Sequence, residues 1–306
     1  MRTPQHLAEV FTRQHGVISR QQALQADATR HQIDRRVASG EWHRLSHGVY
    51  RHHLAPDSWA SRLMAACLTV DGVASHRSAI RNHGVRGHRS PRIEVSIEQG
   101  RWRAPGDFAL HQTTQIDRID MSEVDGIPTT GLARSVLDFA GVSSLERTNA
   151  LIDVLLVDRR LKLGDLADVL VRHSRKGRDG CGRLRTVLDE RLGETAVPKS
   201  EFSRLVARLL VAHGLPQPEF EFEINDGAGL VGFVDLAYPD ERIAIELDSV
   251  RWHLNRLSFE RDPVRRNRVV NRGWTPLSFT WQAYYERPIE LVTTVATARR
   301  RLLKAG

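Results

Sequence analysis

Three acidic residues near the end of the chain have the type and spacing of a metal site. Asp235 stands in the strand-like run 232–238, and Glu246 and Asp248 flank Leu247 in the next such run. Side chains two positions apart on a β-strand share a face, so Glu246 and Asp248 point to the same side of the sheet. Pairing of the two runs as a hairpin would bring Asp235 beside them. Three carboxylates on one face repel each other strongly without a cation.

Magnesium, or manganese in its place, suits such oxygen ligands because it is held by carboxylates together with water and substrate phosphate. A bound metal can polarise a phosphodiester and lower the pKa of an attacking water. We predict that Asp235, Glu246 and Asp248 bind Mg²⁺ or Mn²⁺ and serve the hydrolysis of a phosphodiester. The alternative is a set of solvated acids on the exposed side of an amphipathic strand.

Further side chains extend this predicted site. Glu201, on the preceding helix, supplies another acid, and His253 could exchange a proton during hydrolysis because histidine titrates near neutral pH. Arg261, Arg265 and Arg266 lie in the next basic helix, where guanidinium groups could bind phosphate bidentately. The alternative for these arginines is a solvated helix face.

The elements that position these residues follow from the periodicity of apolar side chains. Residues 199–213 carry apolar residues at helical spacing and end at Gly214 and Pro216. Three strand-like runs, a basic helix, a strand and a last helix follow at 220–224, 230–238, 243–248, 257–272, 274–279 and 289–303. We predict an α/β sandwich with an αβββαβ core over residues 194–306.

A set of motifs over residues 198–285 resembles an uncharacterised family related to the very-short-patch-repair endonucleases, within the PD-(D/E)XK restriction-endonuclease-like superfamily. The motifs are Glu201, Asp235, Glu246-Leu-Asp248, Trp252-His253, Phe259-Glu-Arg-Asp262, Arg265 and Gly273-Trp274. The resemblance implies a restriction-endonuclease-like fold and magnesium-dependent cutting of DNA. It also implies that Asp235 and Glu246 are metal ligands and that Glu201 is an auxiliary acid.

Two positions depart from the pattern of that superfamily. Asp248 occupies the place of the usual lysine, whose positive charge favours the developing pentavalent phosphate. His253, Arg261 or Arg265 would have to supply that charge here. Relatives often have glycine after this position, where this chain has Ser249. The intact acids favour an enzyme, whereas the missing lysine favours a nuclease-like fold with another role.

The first 85 residues read as short helices followed by a hairpin. Two capping-box patterns, Ser19-x-x-Gln22 and Thr29-x-x-Gln32, each open a short helix. Residues 42–52 form extended runs around a glycine turn, which predicts a β-hairpin. Helices followed by a hairpin in this order predict a winged helix-turn-helix.

Basic residues cluster at the second of these helices, the predicted recognition helix. Arg30, Arg35 and Arg36 lie on or beside it, where cationic side chains can follow a DNA backbone. We predict that all three bind double-stranded DNA. The alternative is a short polar helix that is rich in arginine for solubility.

Three runs in this segment resemble the winged-helix domain of AbiEi-type antitoxins over residues 3–55. They are Gly16-Val-Ile-Ser-Arg20, Arg36-Val-Ala-Ser-Gly40 and Gly48-Val-Tyr-Arg51. Proteins of that type are regarded as transcriptional autoregulators. The resemblance implies binding to DNA and a cognate toxin among the partners.

Residues 86–193 are predicted to form an α+β connector with a helical second half. The run 92–97 alternates with period two, and glycine-containing turns near 106 and 126 bound further short strands. The run 125–130, with Arg134 and Asp138, resembles sequence that often joins the other two domains, and no chemistry is attached to it. His76 is interpreted as a helix-start residue satisfied by the backbone.

Composition and net charge indicate which classes of partner the protein can bind. The 306 residues suffice for two or three domains, and 45 Lys and Arg against 37 acids give a net charge of +8 and a pI near 10.1. Such a surplus suits a polyanion, because each neutralised phosphate releases counterions, although positive charge also aids solubility. We find no phosphate loop, dinucleotide fingerprint, nucleophile elbow or zinc spacing.

The location follows from what the sequence lacks. The first residues contain no apolar signal core, and no run is long enough to cross a bilayer. Cys67 and Cys181 lack metal-ligand spacing and are read as small buried residues in a reducing compartment. We expect a cytoplasmic protein without a membrane partner.

The sequence therefore predicts a mixed α+β chain with a winged helix at 1–85, a connector at 86–193 and an endonuclease-like α/β domain at 194–306. One hypothesis is a metal-dependent DNA endonuclease delivered to DNA by the winged helix. Cutting both strands would then require a homodimer or two successive events. The other hypothesis is an antitoxin-like transcriptional regulator whose nuclease-like domain is inactive.

Overall fold

The computed structural model describes residues 5–99, 107–114, 116–175, 177–192, 199–225, 230–248 and 261–303. The chain divides into two compact units, Met1–Leu161 and Lys162–Gly306. Helices and three sheets alternate along it, so the predicted mixed α/β class is confirmed. Within the described ranges, none of the helices has the length and apolar character needed to span a bilayer. The domain boundaries at residues 85 and 193 stay predictions.

The first unit begins with a winged helix-turn-helix. Its elements are α1 Gln5–Arg13, β1 Val17–Ser19, α2 Arg20–Gln25, α3 Arg30–Ala38, β2 Trp42–Ser46 and β3 Val49–His52, with strand order β1-β3-β2. Both predicted capping boxes are present: Ser19 and Thr29 each accept from the backbone of the residue three positions on, whose side chain returns the bond. These caps satisfy backbone N–H groups that would otherwise be unpaired, and so they fix where α2 and α3 start.

Apolar residues from every element of the winged helix form one core. Phe11 of α1 meets Trp42 of β2 edge to face at 5.2 Å, and Ile33 of α3 is fully buried. The remaining members are Leu7, Ile18, Ala23, Ala26, Ala28 and Tyr50. This core holds α2 and α3 together, because both helices contribute apolar side chains to the same buried cluster.

A five-stranded sheet follows within the first unit. The elements are α4 Trp59–Val70, β4 Val73–Ala74, α5 His76–Asn82, β5 Glu94–Glu98, β6 Ala109–Thr113, β7 Met121–Val124, β8 Ile127–Thr130, α6 Leu132–Val142 and α7 Leu145–Val157. The strand order is β6-β5-β4-β8-β7, with β4 parallel to β8 and antiparallel to β5. The two-residue strand β4 therefore lies in the middle of a sheet whose other strands come 20 or more residues later. Cys67 of α4 is buried and not in a disulfide, and burial raises the pKa of its thiol to about 12.

The second unit carries a four-stranded sheet among helices. Its elements are α8 Leu163–His173, α9 Cys181–Leu192, α10 Lys199–Ala212, β9 Glu219–Asn225, β10 Leu230–Tyr238, β11 Ile243–Asp248, α11 Arg261–Asn271, β12 Thr275–Thr280, α12 Trp281–Glu286 and α13 Pro288–Leu303. Strands β9, β10 and β11 are antiparallel neighbours, and β12 pairs parallel with β11. The predicted order of elements is confirmed, with α12 as an addition.

Candidate functional site

The helix-turn-helix presents a basic outer face. On α3 the side chains of Arg30, His31, Asp34 and Arg35 are exposed, whereas Ile33 is buried beneath them. In proteins with this motif the second helix enters the major groove of DNA and the first crosses the backbone. The exposed face of α3 is therefore the surface that would meet base edges and phosphates.

Arg20, at the start of α2, forms hydrogen bonds with Asp34 on this face and with Tyr50. Its Nη1 lies 2.8 Å from Asp34 Oδ1 and 3.2 Å from Tyr50 Oη, and its Nη2 lies 3.4 Å from Asp34 Oδ2. Tyr50 is buried in the domain core. The hydrogen bond from Arg20 lowers the pKa of the Asp34 carboxyl, and the same contact raises the pKa of the guanidinium. Both groups are therefore charged at neutral pH and hold one another in a fixed geometry.

The wing adds basic residues to the same surface. His43, Arg44 and His47 on the hairpin of β2 and β3 are exposed. The charge of Arg44 further lowers the pKa of the Asp34 carboxyl on α3. Sequence reasoning missed both Arg20 and Arg44. The available signal for Arg20 was its position directly after the helix cap Ser19, at the first residue of the helix-turn-helix.

A surface depression of about 650 Å³ opens beside these residues. It is lined by Arg20, Gln21, Leu24, Gln25 and Arg30. The two guanidinium groups and two amide side chains are donors of the kind that bind phosphate oxygens. A DNA backbone lying along α2 would thus find a concave, donor-rich surface.

Arg36 is placed differently from the other two predicted arginines. It is only 8% exposed, its Nε lies 3.2 Å from Glu41 Oε1, and its guanidinium lies over the Trp42 ring at 5.3 Å. The residue stands three positions after Ile33, on the helix face that packs inward. The prediction that Arg36 contacts DNA is therefore not supported, because its guanidinium is engaged inside the domain.

The strands that carry Asp235 and Glu246 pair as a hairpin. The antiparallel register pairs Leu236 with Ile245, so the next step sets Asp235 opposite Glu246 on one sheet face. Both residues are half-buried. Asp235 Oδ2 accepts a hydrogen bond from the Leu247 backbone N–H at 2.8 Å, which fixes this carboxylate against the neighbouring strand.

Strand β9 adds acids to the same surroundings. Glu219, Glu221 and Glu223 are exposed and alternate with phenylalanines. The register of β9 and β10 sets Glu221 opposite Asp235, and Glu221 has a φ of 49°, a left-handed conformation that is uncommon for a non-glycine residue in a strand. Sequence reasoning missed Glu221. A phosphate approaching Asp235 and Glu246 would meet this negative charge as well.

The fit of a divalent metal to these acids is partial. Asp235 and Glu246 offer two facing carboxylates, which is a donor set that Mg²⁺ accepts when water and phosphate complete the shell. Within the described residues no group of three or more His, Cys, Asp or Glu side chains is arranged to hold a metal ion. Asp248 ends β11 opposite Thr280, and its side chain lies outside the described residues.

The structure describes the side chains of only two of the other residues predicted for this site. Glu201 faces α8, where its Oε2 lies 4.0 Å from Lys162 Nζ and its Oε1 fills the space in which a Cβ on Gly164 would lie. Arg266 is exposed on α11. His253 and the side chains of Arg261 and Arg265 lie outside the described residues.

Comparison with known proteins bears on the first of these two surfaces. Residues 5–52 match the family model of the AbiEi antitoxin transcriptional regulators. The match spans the whole winged helix, including α2, α3 and the wing, and it supports nucleic-acid binding by this segment. The resemblance to AbiEi antitoxins at the amino terminus is therefore confirmed.

Two curated relatives cover nearly the whole chain. They are uncharacterised proteins from two strains of Mycobacterium tuberculosis, each 27% identical over 280 residues that make up 91% of this chain and 100% of the relative. The crystal structure of the RV2827C protein from Mycobacterium tuberculosis is 15% identical and has a TM-score of 0.31, covering 69% of this chain and 77% of that one. A likeness at that score carries no argument about function.

Proposed function

We propose that this protein is a DNA-binding transcriptional regulator of the AbiEi antitoxin type. The observation that carries the proposal is the basic, outward face of α2, α3 and the wing, inside the segment that matches the AbiEi family model. Arg30 and Arg35 would bind backbone phosphates, since phosphate contacts set the position of a protein on DNA. A cognate toxin as partner and a homodimer on DNA belong to the same proposal.

The chemistry of the surface favours duplex DNA. Guanidinium groups bind phosphate oxygens in a bidentate manner, and each neutralised phosphate releases counterions. The net charge of +8 adds a general attraction to a polyanion. The helical caps at Ser19 and Thr29 fix the two helices, so these cations are held on a rigid element rather than on a loop.

Loss of two arginines from the recognition helix tests this proposal. In Arg30→Ala/Arg35→Ala we expect affinity for a duplex from the promoter region of the protein's own gene to fall by roughly 10- to 100-fold at about 0.1 M salt. The slope of log affinity against log salt should decrease by about 2, because two phosphate contacts are lost. Fluorescence anisotropy titrations over a series of salt concentrations measure both quantities.

A matched control separates contact from charge. Arg89 and Arg118 are exposed outside the winged helix, and Arg89→Ala/Arg118→Ala removes the same charge. This control should retain the wild-type salt slope. Equal loss in both double variants would show that only net charge attracts DNA. Footprinting of the wild-type protein that gave no protected sequence would contradict a role as a regulator.

We propose magnesium-dependent DNA cleavage as a second candidate function, favoured by the facing positions of Asp235 and Glu246 in the hairpin of β10 and β11. A divalent metal bound there would supply charge to the scissile phosphate. The chain's own part would be to orient that cation: Asp235 is held by the Leu247 amide, and Glu246 faces it across the strand pair. The exposed glutamates of β9 weigh against this candidate, because they repel phosphate.

A nuclease assay tests the second candidate directly. With Mg²⁺ or Mn²⁺, wild-type protein should cut duplex DNA, and Asp235→Asn should abolish cutting while keeping an oxygen acceptor for the Leu247 amide. Asp240→Asn, in the exposed turn after β10, is the matched control and should cut like the wild type. Absence of cutting by the wild-type protein across DNA and RNA substrates with either metal rejects this candidate and leaves the regulator unaffected.

A further inference from the structure

Asp34 is an acid in the middle of a basic surface. It is the single acidic residue of α3, its side chain is 60% exposed, and Arg30 and Arg35 are exposed on the same helix. The charges of Arg44 and His31 act on it as well. If this face meets DNA as proposed above, Asp34 meets it too. A carboxylate there repels phosphates, so a purely electrostatic DNA-binding face would do better without it.

The carboxylate is held in a defined orientation. Arg20 donates to both oxygens of Asp34, at 2.8 and 3.4 Å, and its Nη1 also lies 3.2 Å from the hydroxyl of the buried Tyr50. Exposed ion pairs contribute little to folding stability, so stability alone is a weak reason for this arrangement. A bidentate contact does fix direction. The result is a carboxylate of fixed orientation whose side chain is still 60% exposed.

The ligand that fits such an acceptor is a hydrogen-bond donor on a base edge. In the major groove, cytosine N4 and adenine N6 are both amino donors, but adenine N6 adjoins the acceptor N7, which repels a carboxylate. Asp and Glu side chains therefore pair with cytosine N4. Phosphates and guanine O6 and N7 are acceptors themselves and cannot satisfy a carboxylate. The chemistry therefore separates Asp34 from the neighbouring arginines: they bind the backbone, while it reads a base.

We propose that Asp34 is a specificity-determining residue that accepts a hydrogen bond from cytosine N4 in the major groove, and that Arg20 is the positioning residue that orients it. This inference rests on the proposed DNA-binding function. It adds which residue discriminates between sequences and which base that residue selects. Arg20 acts through Asp34 and through Tyr50 rather than by reading a base of its own.

Selection of binding sites from a randomised duplex library tests the inference. The wild-type protein should select cytosine at one position of its site. Asp34→Asn should lose that preference by roughly 5- to 100-fold and favour adenine, because asparagine pairs with adenine N6 and N7. Asp27→Asn is the matched control: Asp27 is an 84% exposed acid of the same domain, 3.9 Å from His6, and its replacement should leave the selected sequence unchanged.

A separate measurement tests the positioning role of Arg20. Arg20→Met should weaken selection of cytosine at the same position, whereas Arg20→Lys, which can still donate to Asp34, should restore part of it. A structural role alone would change unfolding without changing the selected base. An Asp34→Asn protein that selects the same sequence as the wild type overturns the inference and leaves DNA binding intact. A wild-type protein that binds no duplex rejects both the proposed function and this inference.

Discussion

Replacing Arg134 by alanine is expected to lower the free energy of unfolding of the first unit by about 3–5 kcal/mol. Arg134 lies on α6 and is 2% exposed. Its Nε lies 3.0 and 3.1 Å from the two oxygens of Asp138, and its Nη1 lies 3.5 Å from Asp120 Oδ2. Asp138 and Asp120 are buried as well. Removal of the guanidinium would leave two carboxylates without their cation in the interior.

The size of this effect comes from desolvation rather than from the attraction itself. A buried ion pair gains little net free energy over an apolar pair, but breaking it leaves an uncompensated charge in a medium of low polarity. The guanidinium also donates a hydrogen bond to the Thr113 hydroxyl at 3.3 Å, so the substitution removes this bond as well. Urea unfolding of the full chain followed by circular dichroism would measure the change, with the transition of the first unit shifted to lower urea.

Two variants make the result interpretable. Arg86→Ala removes an arginine that is 72% exposed and pairs with Asp158, and it should cost at most about 1 kcal/mol. The double variant Arg134→Ala/Asp138→Ala should lose less than the sum of its single variants, because both act on one network. A loss below about 1 kcal/mol in Arg134→Ala would mean that water or another cation compensates the acids.

The same network explains a motif that the sequence could identify but not interpret. The run 125–130 with Arg134 and Asp138 resembled joining sequence without chemistry. In the structure, β8 ends with Thr129 and Thr130, and Gly131 precedes α6. The ion pair of Arg134 and Asp138 is buried and begins one turn further along the chain. Spacing of four residues on a helix predicts that Arg134 and Asp138 meet. Asp120, the second acidic partner of Arg134, lies outside α6, and no local sequence pattern predicts its contact with Arg134.

Local patterns predicted the elements well, because their causes are local. The capping boxes at Ser19 and Thr29 and the strand-like runs 230–238 and 243–248 each correspond to an observed helix start or strand. The pairing of β10 with β11, which brings Asp235 opposite Glu246, was also predictable, since adjacent strands with a short turn usually pair. The ligand of the facing acids was not predictable, because the positions of two carboxylates alone do not identify a cation.

Arg36 and Arg20 have surroundings in the structure that the sequence reasoning did not predict. Arg36 was grouped with the DNA-binding arginines, although its spacing from Ile33 and Val37 puts it on the inward face of α3. Helical spacing could have found this. Arg20, by contrast, acquires its role from Asp34 and Tyr50, which lie 14 and 30 residues along the chain. Only the folded arrangement of α2, α3 and β3 brings those partners together.

His76 was interpreted as a helix-start residue satisfied by the backbone, and the structure gives it more particular surroundings. Its ring stacks on His111 at 3.6 Å, its Nδ1 lies 2.9 Å from Ser75 Oγ, and its φ is 52°. Burial lowers the pKa of His76 to about 4. The charges of Asp138 and Glu94 oppose that shift, and those of His111 and Arg134 reinforce it.

This environment predicts acid-sensitive stability. The folded-state pKa of His76 lies below the ordinary value of 6.5, so between pH 6.5 and 4 the unfolded chain binds more protons than the folded chain. Stability from the neutral imidazole is fully present above pH 6.5 and is lost as the pH falls to 4, by about 3 kcal/mol in total. Burial raises the pKa of Glu94, but His111 and the Arg77 amide and guanidinium outweigh burial and hold it at about 2, so a second loss follows below pH 4.5.

Replacing His76 by asparagine isolates the first loss. Asparagine tolerates a positive φ, retains polar atoms beside Ser75, and does not titrate. Free energies of unfolding measured at intervals between pH 7 and pH 4 should fall less in His76→Asn than in the wild type, by about 3 kcal/mol over the range. Part of the slope should remain, because burial also lowers the pKa of His52, His83 and His88.

The control is a histidine that the fold leaves in solvent. His31 is exposed on α3, so His31→Asn should follow the wild-type pH dependence. Parallel curves for His76→Asn and the wild type would show that His76 binds its proton over the same pH range in the folded and unfolded chains. That outcome would place water or a counterion beside the stacked rings. A flatter curve for His76→Asn alone would instead assign the largest loss between pH 6.5 and 4 to one buried imidazole at the start of α5.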